Sequence, residues 1–491
     1  MMGLLNVGSW FSDCTATCSL AVFIATLSAY FFYHRDPAKY PPGPISWPIV
    51  GNLVQVGRAK NFYALLKELR GKYGNVFRLH LGQVPLIIVF GHDNISRIMV
   101  ANGGNTINRP DWLFVPSVVL KKKGIVWTNG KAWQLMNEFI IRVQQDRTVQ
   151  ANIQDQLNLE LVEACKGFSD VTATDPSGPF HNVVINIVSL LVFGKRFDYN
   201  DPDFKTIKTS IEYIFQNGQT AGRVETFFQC LSLFTKSQVA KLGAENKKVY
   251  DVIRDQLKEH KTRNDSSGPQ DLLHMYIDLS DKMRENEAFS EINLLQAVVD
   301  LFNAGCATYT PTISTAIFYL IKYPNVQDKC RKEINKNISG NSHVTLNDRD
   351  KLPYVENMIK EIMRLEKPVV TSVYRTNQQS IPVGEYTIPP HSVILFDLMQ
   401  QQLDPELWTN PEDFNPDRWT TANQDGYVPF GAGPRQCVAA QTVDITLFLL
   451  LTNLMKKYIL LAEGKLTLEK EYNGVALKTK PFKMYLKQIE S

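Results

Sequence analysis

Cysteine is scarce and odd in number. The seven residues, Cys14, Cys18, Cys165, Cys230, Cys306, Cys330 and Cys437, are scattered through 491 positions. That distribution excludes a disulfide framework and points to a reducing compartment. Charge of one sign is not in excess either: 53 Lys and Arg against 49 Asp and Glu leave +4. Neutralising a phosphate backbone takes a far more basic balance, so no nucleic-acid partner is expected. Gly, at 28, and Pro, at 25, are ordinary, which excludes collagen-like and low-complexity chains. No internal repeat and no glycine-rich nucleotide-binding motif stands out. With 44% hydrophobic and 21% charged residues, the chain is ordered and long enough to bury a large core.

Long apolar runs are missing too, with one exception. Cys14 to Tyr33 carries no charge over 20 residues. As a helix this spans about 30 Å, the hydrocarbon thickness of a bilayer. No basic segment precedes it, so a membrane anchor over residues 1–35 is expected rather than a cleaved signal. Asp13 lies before the run and His34, Arg35 and Lys39 after it, which places the bulk of the chain on the cytosolic side. Tyr40-Pro41-Pro42-Gly43-Pro44 and Trp47-Pro48 follow. Proline fixes φ and removes donors, so residues 36–50 read as a stiff spacer.

Residues 51–491 show no break in composition and read as one helix-rich unit. Asn61 to Tyr73 has helical spacing. Val76 to Phe90 alternates around Gly82-Gln83 and predicts a hairpin. Helical patterns include Lys241 to Lys261, Glu291 to Lys322 with Ser290 as N-cap, Pro324 to Ile338 and Pro353 to Glu366. Short strands are predicted at Val370 to Arg375, Tyr386 to Ile388 and Val393 to Phe396. A last helix is predicted from Cys437 to Lys457.

The sharpest local signal is Phe430-Gly431-Ala432-Gly433-Pro434-Arg435-Gln436-Cys437. A tight loop delivers one Cys to the start of an apolar helix, where orphan N–H groups and Arg435 favour thiolate. One reading is a buried, inert Cys opening a core helix. Zinc lacks companions: no His follows His391, and the nearest Cys is Cys330. A lone thiolate suits a heme iron, because the porphyrin supplies four other ligands.

This loop resembles the Phe-x-x-Gly-x-Arg-x-Cys-x-Gly loop of the cytochrome P-450 superfamily of heme-thiolate monooxygenases. Phe430, Gly433, Arg435 and Cys437 match, and Ala439 stands for the last Gly. Three further segments match in order. Glu361 and Arg364 correspond to a pair that the family buries with an arginine from a Phe-x-Pro-x-Arg segment, here Arg418; the implied role is structural support behind the heme. Ala304-Gly305-Cys306-Ala307-Thr308 corresponds to the oxygen-binding stretch, where an acid and a Thr handle protons. Thr308 matches, but Ala307 holds the acid position. Pro311 should kink this helix and free the Ala307 carbonyl. Trp133 matches the Trp of a Trp-x-x-x-Arg helix, with Asn137 in place of the propionate-binding Arg. Arg375 and Arg435 match positions that contact heme propionates.

The resemblance implies a mainly α fold: a single large heme domain with a small β region, preceded by the N-terminal transmembrane helix. It implies heme b with Cys437 as axial ligand and Phe430 beside it. It implies an enzyme of the endoplasmic reticulum membrane, fed by an NADPH-dependent flavoprotein reductase and oxidising a lipophilic substrate of steroid, fatty acid or xenobiotic type. Ala307 and Asn137 keep two rivals open: a heme-thiolate isomerase or dehydratase, and a heme-binding protein with little turnover. The substrate-lining loops are expected near Arg109 to Val119, Gln216 to Phe234 and Val475.

Overall fold

The apolar alternation around Gly82-Gln83 produces the hairpin it predicts. Two helices lead into it: α1 (Leu53–Arg58) and α2 (Phe62–Tyr73), the latter capped by Asn61, whose Oδ1 accepts from Ala64 N. β1 (Val76–Leu81) then pairs antiparallel with β2 (Val84–Val89), Leu81 facing Val84. Gly82 takes φ +66° at the two-residue turn, which an L side chain resists. The computed structural model describes residues 39–113, 120–218, 236–262, 271–280, 286–340, 342–420, 426–464, 466–473 and 476–489. The anchor expected over Cys14 to Tyr33 lies outside them, as do most of the expected substrate loops. Among the described residues no helix is long and apolar enough to cross a membrane.

The helical body follows. α3 (His92–Ile95) runs into a π turn, Ser96–Ala101. Then come α4 (Gly130–Gln145), α5 (Arg147–Cys165), α6 (Ser177–Phe193), α7 (Pro202–Gly218), α8 (Lys236–Thr262) and α9 (Leu272–Ser280). α10 (Glu291–Lys322) is the long apolar helix of the sequence, and α6, α7, α8 and α12 (Pro353–Leu365) pack on it. Between them lies α11 (Pro324–Asn337); Pro324 and Pro353 take first-turn positions, where a missing N–H is harmless. Ser290 stands at the N-cap of α10, but its hydroxyl donates to Glu287 O at 2.8 Å instead of capping. The helix continues across Pro311 without interruption.

β3 (Arg375–Thr376), β4 (Ile381–Val383), β5 (Tyr386–Ile388) and β6 (Val393–Phe396) complete the main β region. β6 lies parallel to β2 and antiparallel to β3, giving the order β1-β2-β6-β3. The strand predicted over Val370 to Arg375 is shorter than its composition suggested. The Ser372 hydroxyl takes the Phe396 N–H at 3.1 Å, so the ladder breaks there: an isolated bridge of Thr371 with Asp397 precedes it, and continuous pairing begins at Arg375. After α13 (Met399–Gln402), α14 (Ala440–Lys457) leads to two antiparallel strand pairs that sequence patterning missed: β7 (Tyr458–Ala462) with β10 (Met484–Gln488), and the hairpin of β8 (Lys470–Asn473) with β9 (Ala476–Thr479).

Two boundaries bear on the site. α14 begins at Ala440, three residues later than predicted, so Cys437 stands in the turn before the helix. The segment expected as a spacer is bound to the strands from Lys39 onward: Thr387 N of β5 donates to Lys39 O at 2.7 Å, Arg78 N of β1 donates to Pro42 O at 2.8 Å, and the Arg78 guanidinium lies 4.9 Å from the Tyr40 ring.

The Cys437 loop is closed by Cys437 N donating to Phe430 O at 2.9 Å and Gln436 N to Gly433 O at 3.0 Å. Gly433 has φ +72°, and a Cβ there would stand 2.1 Å from the Met99 carbonyl oxygen in the π turn. Gly431 has φ +74° but nothing within 4 Å of the same added atom. Gly431→Ala is therefore expected to carry only the left-handed backbone penalty, about 1–2 kcal/mol. Gly433→Ala must also displace backbone. Thermal denaturation of both variants checks this: equal losses of Tm would rule out close packing of the π turn as a constraint on the loop.

Candidate functional site

The loop, α4, α10, β3 and the segment before β3 enclose a cavity of about 310 Å³. Its walls are largely aliphatic, from Ile187, Val188, Leu191, Leu301, Val369 and Val373. α10 adds Ala304, Gly305 and Thr308, because residues four apart share a helix face. Thr308 Oγ1 donates to Ala304 O at 2.9 Å. Ala307, at the acid position, does not line the cavity, and Pro311 has no N–H to offer its carbonyl.

Cys437 lines the cavity as well and is solvent-reachable through it, although its thiol sits deep among protein atoms. Burial pushes that thiol above its ordinary pKa, against the smaller opposite pull of the Ala439 N–H on the sulfur. The helix-start position alone therefore does not make a thiolate; a cation at the sulfur would have to supply the difference.

Three guanidiniums border the same cavity. Arg109 is held by Val126 O at 3.0 Å, Val373 O at 2.9 Å and Tyr374 O at 2.8 Å. Arg435 donates to Ile107 O at 2.9 Å, Ile125 O at 3.3 Å, Thr128 O at 2.6 Å and Asn129 Oδ1 at 3.1 Å, and stacks 3.9 Å over Trp133. It ties the loop before α4 to the Cys437 loop, beyond the propionate role expected of it. Arg375 differs: Nε and Nη1 are buried and have no partner among the described residues. Burial lowers all three pKa values. Arg375 is pushed down to about 10, and Arg435 to about 9 with Arg375 adding repulsion. Arg109 falls well below the usual value, repelled by both. Asn137 lines the cavity from α4. Phe430 lines it from the loop.

Glu361 and Arg364 are both fully buried. Arg364 meets both carboxylate oxygens at 2.9 Å, Arg418 Nε reaches Oε1 at 2.9 Å, and Trp419 Nε1 reaches Oε2 at 3.0 Å. Removing one member would strand a buried charge, at about 3–5 kcal/mol. None of the three lines the cavity.

A model of the family described as Cytochrome P450 matches residues 41–486. The chain belongs to the cytochrome P450 family. Among curated relatives it is similar to Cytochrome P450 2J5 of Mus musculus, 28% identical over 456 residues, covering 90% of each chain. It is equally similar to Cytochrome P450 2B4 of Oryctolagus cuniculus, 28% over 470 residues, covering 89% of this chain and 92% of the relative. Probable cytochrome P450 516A1 of Dictyostelium discoideum is 27% identical over 461 residues, covering 91% and 94%.

Cytochrome P450 proteins use heme b with an axial cysteine thiolate, and the chain is a heme-dependent monooxygenase. The cavity fits that cofactor. Three buried guanidiniums repel one another, and Arg375 keeps two unpartnered donors. A group carrying two carboxylates answers both features.

Sequence reasoning placed Arg109 only as the start of an expected substrate loop, and missed Asp300. Asp300 is the only carboxylate among the described lining residues and shares the α10 face of Ala304 and Thr308. That periodicity, in a stretch otherwise apolar from Val298 to Phe302, was the available signal. Oδ2 accepts from Ile125 N at 2.9 Å and Val126 N at 3.1 Å, and Oδ1 from Gln296 Nε2 at 2.8 Å. It thereby pins the loop that carries Arg435's carbonyl partners. Burial pushes its carboxyl from 3.8 up to about 6. A raised carboxyl pKa contributes stability that is full below about 4 and lost as pH rises through about 6. Asp300→Asn should therefore flatten the unfolding midpoint over that window, removing a change of about 1–3 kcal/mol. Parallel denaturant titrations from pH 4 to 7 test it; identical slopes in both proteins would show that Asp300 does not titrate there.

Proposed function

We propose that this cytochrome P450 hydroxylates a small lipophilic substrate, with Cys437 as the axial ligand and electrons supplied from NADPH by a separate flavoprotein reductase. The observation that carries the reading is one cavity lined by aliphatic side chains, by Cys437 and by Arg375 with two unpartnered donors. When bound, the heme supplies the oxidising chemistry that protein side chains lack.

The residues do the rest. Cys437 would hold the iron through its sulfur, with Phe430 on the same loop. Arg375 would hold a propionate through Nε and Nη1. Arg435 adds positive charge while holding the loop carbonyls, and Trp133 stacks on it. The Glu361, Arg364 and Arg418 cluster supports the loop from behind. Aliphatic side chains orient the substrate and exclude water. Thr308 keeps lone pairs to hold a water near the Ala307 carbonyl, and this water carries protons in place of an acid side chain. The uncharged run from Cys14 to Tyr33 anchors the chain in the endoplasmic reticulum membrane, with the site facing the cytosol.

Reduced protein with carbon monoxide is expected to show the red-shifted Soret band of thiolate ligation; retention of that band in Cys437→His would end the ligand assignment. With reductase and NADPH, a panel of steroids, fatty acids and drugs should yield an oxygenated product. Thr308→Ala should divert electrons to hydrogen peroxide. Turnover of an oxygenated lipid without NADPH would favour the isomerase reading instead.

Asn137 leaves one propionate contact unmade. A charge-assisted hydrogen bond contributes about 1.5–3 kcal/mol. Asn137→Arg is therefore expected to slow heme transfer to apomyoglobin about tenfold or more, and an unchanged or faster rate would show that Arg375 and its neighbours already saturate the propionates.

A further inference from the structure

Pro311 leaves one turn of α10 without its backbone bond. Another residue at that position would donate its N–H to Ala307 O; proline has none, and its ring crowds that carbonyl. The turn from Ala307 to Pro311 is thus the weak point of a 32-residue helix, and Thr308, which lines the cavity, lies inside it. The hydroxyls of Thr308 and Thr312 do not tie this turn to other elements. They donate within the helix, to Ala304 O and Thr308 O, each at 2.9 Å.

The two residues after Thr308 reach outward. Tyr309 is 3% exposed and borders the same cavity as Thr442 and Val443 of α14. Its hydroxyl lies 2.7 Å from Thr446 Oγ1, also on α14. Thr446 has a single hydroxyl hydrogen, and Thr442 O takes it at 2.7 Å. Tyr309 is therefore the donor, and the bond joins α10 to α14. Thr310 points about 100° further round the helix. Its Oγ1 shares a hydrogen bond with Nδ1 of His181 on α6, at 3.2 Å. Bonds in two directions resist both rotation and sideways shift of the turn.

We propose that Tyr309 and Thr310 are positioning residues for Thr308: as a two-sided clamp they supply, from α14 and α6, the rigidity that Pro311 removes. They thereby keep the Thr308 hydroxyl, and the Ala307 carbonyl that lacks a helical donor, in fixed places beside the cavity. A carbonyl freed from the helical ladder and a rigid backbone conflict in an ordinary helix; side-chain bonds to neighbouring helices allow both. The clamp follows from packing, while its effect on peroxide release rests on the proton route proposed above.

Tyr309→Phe keeps the ring in the cavity wall and removes only the bond, leaving Thr446 paired with Thr442 O. The loss of one neutral hydrogen bond corresponds to about a two- to tenfold change in an equilibrium constant. In the heme-loaded protein, hydrogen exchange of the amides between Thr308 and Thr312 should accelerate by that factor. The C–O band of the reduced carbon monoxide complex should broaden, and with reductase and NADPH the share of electrons lost to hydrogen peroxide should rise. Thr310→Val should act in the same direction but less, because its bond is longer; it carries the test if Tyr309→Phe does not fold. Pro311→Ala supplies the deciding background. It restores the N–H to Ala307 O, so adding Tyr309→Phe to it should leave exchange nearly unchanged. Equal acceleration in both backgrounds would mark Tyr309 as a strut unrelated to the proline and overturn the proposal, as would no acceleration in either. Faster exchange with the C–O band and peroxide unmoved would overturn it too, because Thr308 would not depend on the clamp. Thr308→Ala is read in the same series. If it leaves peroxide unmoved, the proton route fails, and exchange and the C–O band alone decide the clamp.

Discussion

Uncompensated positive charge is the constraint around which the site is built. Arg109, Arg375 and Arg435 are each desolvated, and the only carboxylate among the described residues on the same cavity, Asp300, is turned to backbone N–H groups and to Gln296. Two of the guanidiniums are made tolerable by carbonyls. Arg109 draws three from two segments, and Arg435 takes three carbonyls and an amide oxygen from the stretch before α4. In consequence these arginines hold the chain segments that wall the cavity. Among the described residues Arg375 has no such partners for Nε and Nη1. A buried guanidinium without acceptors is costly, so cofactor binding and folding of this region are coupled.

The contrast with Glu361 shows what the fold does when it can neutralise charge by itself. There a carboxylate with no exposure meets two arginines, a Trp N–H and the Asn415 N–H. Every lone pair has a donor, and the cluster links α12 to the segment that leads toward the Cys437 loop. One buried charged cluster is closed and structural; the other is open toward the cavity. The difference lies in unpartnered donors, not in burial or residue type.

Much of this was legible in the sequence where a local rule applied. The hairpin at Gly82, the starts of α11 and α12 at Pro324 and Pro353, and α10 with Ser290 before it follow from turn chemistry, proline and periodicity. The four residues that carry the family resemblance, Phe430, Gly433, Arg435 and Cys437, fall within one short loop, so they could be read directly. What failed needed partners far apart in the chain. The strand before Arg375 is cut short by a side chain, Ser372, replacing a backbone acceptor. The start of α14 is delayed past Cys437 because Ala439 cannot cap and Gln144, 298 residues from Thr442, does so instead. Arg435 is occupied by carbonyls more than 300 positions away. No spacing rule reaches such distances.

The departures from the family pattern can be understood in the same terms. Asn137, Ala307 and Ala439 each put a small neutral residue where a charge, an acid or a flexible glycine is usual. A motif comparison scores each as a loss. In the structure distant residues contribute related chemistry at two of these positions. Asn137 shares its cavity with Arg375 of β3, which keeps two buried donors without partners among the described residues. At Ala439, the order of the turn comes from Gln144 on α4, which also ties the loop to the rest of the fold. Ala307 is different. Asp300 is the only cavity carboxylate among the described residues, and both its oxygens are engaged: Oδ2 holds Ile125 and Val126, and Oδ1 accepts from Gln296. Freeing it to move protons would release the segment that fixes Arg435. On the function proposed here, proton handling on the α10 face falls to Thr308 and to water, and the cost of that arrangement is expected in coupling of electrons to product, not in stability.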